Sequence, residues 1–157
     1  MTLFEAKTFD PRDEAKIRKR WRTAILAAIV LLILAAIAYH FRYWSEEQLV
    51  NKFFNLIEQK NYEGAYALWQ ADPDWKQHTA RYSQYPFGQF QLDWGPSGDY
   101  GEIKSHKVTD ALAPRNKNGP VSGVVVVFNV NDRVQPGCLW VEKKTRALSF
   151  SPVDCPK

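Results

Sequence analysis

Residues 22–42, RTAILAAIVLLILAAIAYHFR, hold nineteen consecutive positions without an acidic, Lys or Arg side chain, closed by Arg22 and Arg42. At ~1.5 Å of helical rise per residue this stretch spans ~28 Å, close to the ~30 Å hydrocarbon thickness of a bilayer. Ala24 to Ala38 is apolar all the way round, without the polar stripe that a soluble core helix carries at its helical period. A cleaved signal is the competing reading, because Ala36-Ile37-Ala38 resembles a small-x-small cleavage site behind a charged stretch. Against it stand the 22 residues that precede the apolar stretch, and the apolar or aromatic side chains that continue through Tyr39, Phe41, Tyr43 and Trp44. The segment reads as an uncleaved single-pass signal anchor, with cleavage after Ala38 left open. Trp21 and Arg22 at one end, and Tyr39, Arg42, Tyr43 and Trp44 at the other, are placed as interfacial anchors, where a ring is half in lipid and a polar atom reaches water.

Charge sets the expected orientation. Lys7, Arg12, Lys16, Arg18, Lys19, Arg20 and Arg22 precede the span, against Arg42, Lys52 and Lys60 in the equivalent stretch after it. The basic side stays in the cytoplasm. The expected organisation is a cytoplasmic tail over 1–21, a transmembrane helix over 22–42, and an extracytoplasmic domain, periplasmic or extracellular, over 45–157. Asp10 as a helix cap and Pro11 at the first helical position would carry the anchor helix back to about residue 11. The lipid bilayer is thus the first expected partner, with the KIRKRWR run read as stop-transfer charge against anionic lipid. Residues 42–157 carry fourteen basic and thirteen acidic side chains, a balance that gives no electrostatic reason to bind nucleic acid.

The two cysteines, Cys138 and Cys155, both fall in the part assigned outside, where a disulfide persists. Two unrelated buried thiols are the plain alternative. The segment CLWVEKKTRALSFSPVDC reads as a β-hairpin turning near Lys144-Thr145, which sets Cys138 opposite about Ser151 and leaves Pro152 to bend the chain toward Cys155. No Cys or Cys/His metal spacing is present, so neither a metal nor any other cofactor is expected.

The domain opens with WSEEQL, in which Ser45 and Gln48 suit a capping box and Trp44 and Leu49 a hydrophobic staple. Leu49, Phe53, Leu56 and Ile57 then follow the helical period over 46–60, broadened by Phe54. Asn61 punctuates before a second short helix over 62–69, and Asp72-Pro73 is expected to open a third that ends before Pro86. Beyond Pro86 glycines and prolines separate runs rich in β-branched residues, predicting strands over 102–112, 122–131, 138–143 and 147–153. In the second strand Val124, Val126, Phe128 and Val130 share one dry face, while Val125 and Val127 share the other with Asn129 and Asn131. The fold class is α+β, with about three helices packed on one face of a bent, mostly antiparallel sheet of four or more strands.

The segment SEEQLVNKFFNLIEQKNYEGAYALW, followed by GEIKSHKV and SGVVVVFNV, resembles the nuclear transport factor 2-like superfamily over about residues 45–153. The likeness lies in a helix with an aromatic pair, a short polar break, an Ala-Tyr-x-Leu segment, a third helix and a strongly bent sheet. It implies a cone-shaped cavity between sheet and helices, used by different members for isomerase or dehydratase chemistry, for ligand binding or for protein association. It also implies kinship with membrane-tethered bacterial members, some of unknown function and one an assembly component of type IV secretion systems. Fold does not choose among these uses.

An enzyme of this kind needs a general acid or base in an apolar cone. Asp74 and His78, spaced i, i+4 on the expected third helix with Tyr82 one turn on, are the candidate catalytic pair, although a solvated helix face carries the same pattern. His106, alternating with Lys104 and Val108, suits a solvated strand face. Tyr82, Tyr85, Phe87, Phe90, Trp94 and Tyr100 crowd nineteen positions, either as core closing the wide end of the cone or as a ligand or partner surface. The poor acid and base inventory favours a non-enzymatic binding or assembly module. Its partner would be a membrane or periplasmic protein or a second copy, with a small-molecule ligand as a further option and a pocket isomerase or dehydratase as the alternative.

Overall fold

The structure, a computed structural model, describes residues 11–114 and 122–155, with side chains from residue 16 onward. The expected Asp10 cap and the connection over 115–121 lie outside the described residues. The chain forms two compact units, Met1–Arg42 and Tyr43–Lys157.

The first unit contains one helix, α1 (Pro11–His40), which includes a stretch long and apolar enough to cross a membrane. Every side chain described from Lys16 to His40 is exposed. Over Ala24 to Ala38 the helix is apolar on all sides and covered on none. Where polar atoms occur near its start they turn back onto the helix: the Thr23 hydroxyl donates to the Lys19 carbonyl at 2.7 Å. At its far end the Arg42 guanidinium lies 4.1 Å over the Tyr39 ring.

The second unit is α+β. Its helices are α2 (Trp44–Glu58), α3 (Tyr62–Gln70) and α4 (Phe87–Trp94), and its strands β1 (His106–Leu112), β2 (Gly123–Val130), β3 (Gly137–Glu142) and β4 (Leu148–Phe150). The strands form an antiparallel meander in the order β1-β2-β3-β4. α2 buries Val50, Phe53, Phe54 and Ile57, the i, i+3, i+4, i+7 stripe of an amphipathic helix. It begins two residues earlier than the capping-box expectation, with Tyr43 in place of Ser45 as the cap. Ser45 therefore sits inside the first turn and its hydroxyl donates to Glu46 Oε2 at 2.8 Å, while Trp44 stays exposed and makes no staple.

Between α2 and α3 the chain reverses through Lys60, held in the left-handed region at φ 58°, and Asn61 Oδ1 accepts the Gly64 amide at 3.0 Å as the α3 cap. α3 ends at Ala71, again left-handed at φ 51°. The expected third helix over 72–85 does not form; two short 3₁₀ turns, Trp75–Gln77 and Thr79–Tyr82, stand there instead. An α-helix would separate Asp72 from Tyr82 by ~15 Å along its axis. The Tyr82 hydroxyl instead donates to Asp72 Oδ2 at 2.7 Å, so a side-chain contact closes the segment on itself. The third helix of the domain is α4, in a region read from sequence as the start of the strands.

One face of the sheet meets the helices through Val124, Val126, Phe128, Val130, Leu139, Val141 and Leu148, all buried. Strand β1 carries a bulge between Val108 and Asp110 that shifts its pairing with β2. The extra residue changes the phase of the pleat, so His106 and Val108 turn inward before the bulge and Ala111 after it. On the opposite face, Val125 and Val127 of β2 are also buried, paired across to Trp140 and Cys138. Cys138 is joined by a disulfide to Cys155, with the Cα atoms 5.6 Å apart, which ties the segment after β4 to that face.

Asn131 and Asp132 at the β2–β3 turn both have positive φ, 52° and 56°, and the Arg133 amide returns to the Val130 carbonyl at 3.0 Å. Asn131 does more than turn. Its Oδ1 accepts the Lys104 amide at 2.8 Å and its Nδ2 donates to the Glu102 carbonyl at 2.8 Å, fixing the approach to β1.

Candidate functional site

A concave surface among the described residues lies outside the sheet–helix interface. On α2, Leu49, Lys52 and Leu56 lie beside the buried stripe; on α3, Gly64, Ala67, Leu68 and Ala71 face the same way at i, i+3, i+4, i+7. Three of those four α3 residues are small, so the helices leave a furrow of about 520 Å³ between them, floored by leucines and closed at one end by Thr145 and Arg146 of the β3–β4 turn. Its volume and mostly apolar lining suit a side chain or small ligand.

Arg146 is itself held in place. Its Nη1 donates to Glu46 Oε1 at 2.9 Å and its Nη2 to the Ser45 carbonyl at 2.7 Å, so the β3–β4 turn is bonded to the first turn of α2. Glu46, the buried acidic residue of α2, thus has its charge compensated. Its place in the first helical turn adds a favourable interaction with the positive end of the helix dipole.

Next to the furrow lies a polar cluster. Asp72 Oδ2 accepts the Tyr82 hydroxyl and sits 2.8 Å from His78 Nδ1, while Oδ1 accepts the Asp74 amide at 3.0 Å. The Tyr82 hydrogen bond, followed by that of His78, holds the Asp72 carboxyl below the usual carboxylate range, and the same bond raises the Tyr82 phenol. His78 pairs with Asp72 and not with the expected Asp74. The Asp72 side chain is 12% exposed and the His78 ring 51%, so this imidazole stands in water and not in an apolar chamber. The cluster staples residues 72–82.

His106 corrects the solvated-face expectation. Its side chain is 10% exposed, with Nδ1 2.6 Å from Glu58 Oε1 and Nε2 3.2 Å from Asn51 Oδ1, and its ring stacks on Phe54 at 5.2 Å. Asn51, Phe54 and Glu58 are spaced i, i+3, i+7 on α2, so one stripe of that helix supplies both polar partners and the apolar platform.

The six aromatics of residues 82–100 point mainly inward. Phe90 and Trp94 are buried and offer no surface to a partner, a correction of the recognition-surface expectation. Tyr82, Tyr85, Phe87 and Tyr100 are half-buried against the same core. Trp94 meets Phe53 at 5.0 Å edge-on and stacks on Tyr100 at 5.7 Å, and Phe54 lies 4.6 Å from Phe128 on the sheet. The Tyr85 hydroxyl donates to Asp93 Oδ2 at 2.8 Å, and burial, reinforced by that carboxylate, pushes its phenol far above the ordinary range. The space between helices and sheet is filled by interlocking rings.

Among the described residues no group of three or more His, Cys, Asp or Glu side chains is disposed to hold a metal ion. The interfacial residues expected at the ends of the apolar stretch divide between the two units: Trp21, Tyr39 and Trp44 are exposed, whereas Tyr43 packs against the domain core. The chain matches no protein-family model, no curated protein and no solved structure.

Proposed function

We propose that the chain is a single-pass membrane protein, N-terminus in the cytoplasm, whose domain from Tyr43 onward works outside the cytoplasm by binding another protein. The observation that carries the binding half is the filled interior. Rings from α2, α3, α4 and β2 occupy the space in which a pocket enzyme would hold its substrate, and the candidate imidazole, His78, lies on the outer surface paired with Asp72. The α2–α3 furrow is the recessed apolar surface available to a partner, and it suits one or two apolar side chains of a bound segment. The order of helices followed by an antiparallel meander supports the kinship with the nuclear transport factor 2-like superfamily and its tethered bacterial members. In this reading the cone that other members use for chemistry has been closed by aromatics.

The membrane half is supported by the all-round apolar exterior of α1 from Ala24 to Ala38 and by the basic excess before that stretch. Cysteine labelling of intact cells tests the orientation: a reporter thiol at Ser97 should react and one at Thr8 should not, and N-terminal sequencing of the mature protein separates anchor from cleaved signal. For the binding half, Ala67→Trp fills the furrow and should abolish function and partner copurification, whereas Asp74→Ala combined with His78→Ala should leave both intact. Loss of function in the second variant with retention in the first would promote the isomerase or dehydratase alternative.

A further inference from the structure

We infer that the β3–β4 turn is a lipid-facing foot of the domain, in which Lys143 and Lys144 meet anionic headgroups beside Trp44. The inference rests on the membrane-anchor reading above. Its basis is chain connectivity joined to two contacts inside the domain. Lys143 Nζ lies 5.8 Å over the ring of Tyr43, the residue that directly follows Arg42. Arg146 Nη2 is bonded to the Ser45 carbonyl, three positions beyond Arg42. Three residues reach at most ~11 Å when fully extended. The turn therefore stays at the end of the domain that the chain enters from Arg42, within about two Debye lengths, ~8–10 Å each, of that residue.

The chemistry of the turn suits that position. Lys143 and Lys144 are exposed, and among the described residues neither has a carboxylate partner. Glu46 is neutralised by Arg146, and Glu142 alternates onto the outer face of β3 with Cys138 and Trp140. Trp44, 54% exposed at the start of α2, adds an indole whose apolar body and polar N–H suit the headgroup layer. Lys143 rests its ammonium on the Tyr43 ring, and Lys144 and the Trp44 indole stand exposed at the same end of the domain.

The test is lysine acetylation of the full chain reconstituted in phosphatidylcholine vesicles with and without phosphatidylglycerol, read residue by residue by mass spectrometry. Lys107, on β1 beside the His106 that contacts the far end of α2, is the internal reference. Against it, Lys143 and Lys144 should react about fivefold more slowly in anionic vesicles than in neutral ones, as expected for one basic residue at a charged surface, and high salt should remove the difference. An anchored chain whose Lys143 and Lys144 react alike in both vesicles would overturn the foot and leave the anchor standing. A chain released by alkaline carbonate would overturn both readings.

Discussion

Helices α1 and α2 are built from overlapping residue types and solve opposite problems. Both are rich in Leu, Ile, Val and Ala or Phe, but α1 spreads these over its whole circumference whereas α2 concentrates them on one stripe. The stripe of α2 is buried by the sheet, by α3 and by α4; the described side chains of α1, from Lys16 onward, are all exposed. The difference teaches that apolar content says little about where a helix belongs. The angular distribution decides, because a one-sided helix needs a protein partner and an all-round one needs an apolar solvent.

The sharpest way to break this comparison is to remove one large side chain from each helix. Phe54→Ala in α2 should lower domain stability by ~3–5 kcal/mol, read as the denaturant midpoint, because Phe54 packs on Phe53, Trp94, His106 and Phe128. Leu31→Ala in α1 should leave that midpoint unchanged, and a comparable loss would mean that α1 helps to hold the domain. Reduction of Cys138–Cys155 comes next. On the chain-entropy argument, a loop of 17 residues contributes ~3 kcal/mol, so a reductant should lower the melting temperature of the domain without releasing α1 from membranes.

A smaller effect concerns acid. The Asp72 carboxyl is held low in the folded domain by Tyr82 and His78, so its contribution is present above the ordinary carboxylate value, ~3.9, and is lost as pH falls through the folded-state value. Tyr82→Phe should weaken this acid sensitivity, which a melting series from neutral pH to pH ~3 checks. The smallest is Ala71→Gly. Alanine holds a left-handed backbone there, and glycine should stabilise the domain by ~1 kcal/mol or less.

The sequence exposed α1, α2, α3 and the four strands because each repeats its apolar residues at a period long enough to detect. α4 was hidden. It has eight residues, with Pro86 before it and Gly88 inside, and those two signals suggest a break even though Phe87, Phe90 and Trp94 keep helical spacing. The error over residues 72–85 has another cause. Asp72-Pro73 does carry local start chemistry, but Asp72 spends its side chain on Tyr82 and His78, a tertiary choice that no local pattern records. His106 was misread for the same kind of reason, since its partners Glu58 and Asn51 lie on α2, far away in sequence. The stripe formed by Asn51, Phe54 and Glu58 was a usable clue, because polar residues flanking an apolar helix face require partners. Likewise the density of rings over residues 82–100 was plain, but whether rings face in or out depends on what packs against them.

The bonds from Arg146 to Ser45 and Glu46 have a mechanical consequence. Any pull arriving along the chain from Arg42 is delivered to the first turn of α2, the place from which a helix is most easily peeled. Arg146 passes that load directly into the β3–β4 hairpin, whose strands are hydrogen-bonded to each other and whose far end is locked by Cys138–Cys155. A domain built this way shares tension arriving from Arg42 between α2 and the sheet, through the arginine contacts at Ser45 and Glu46.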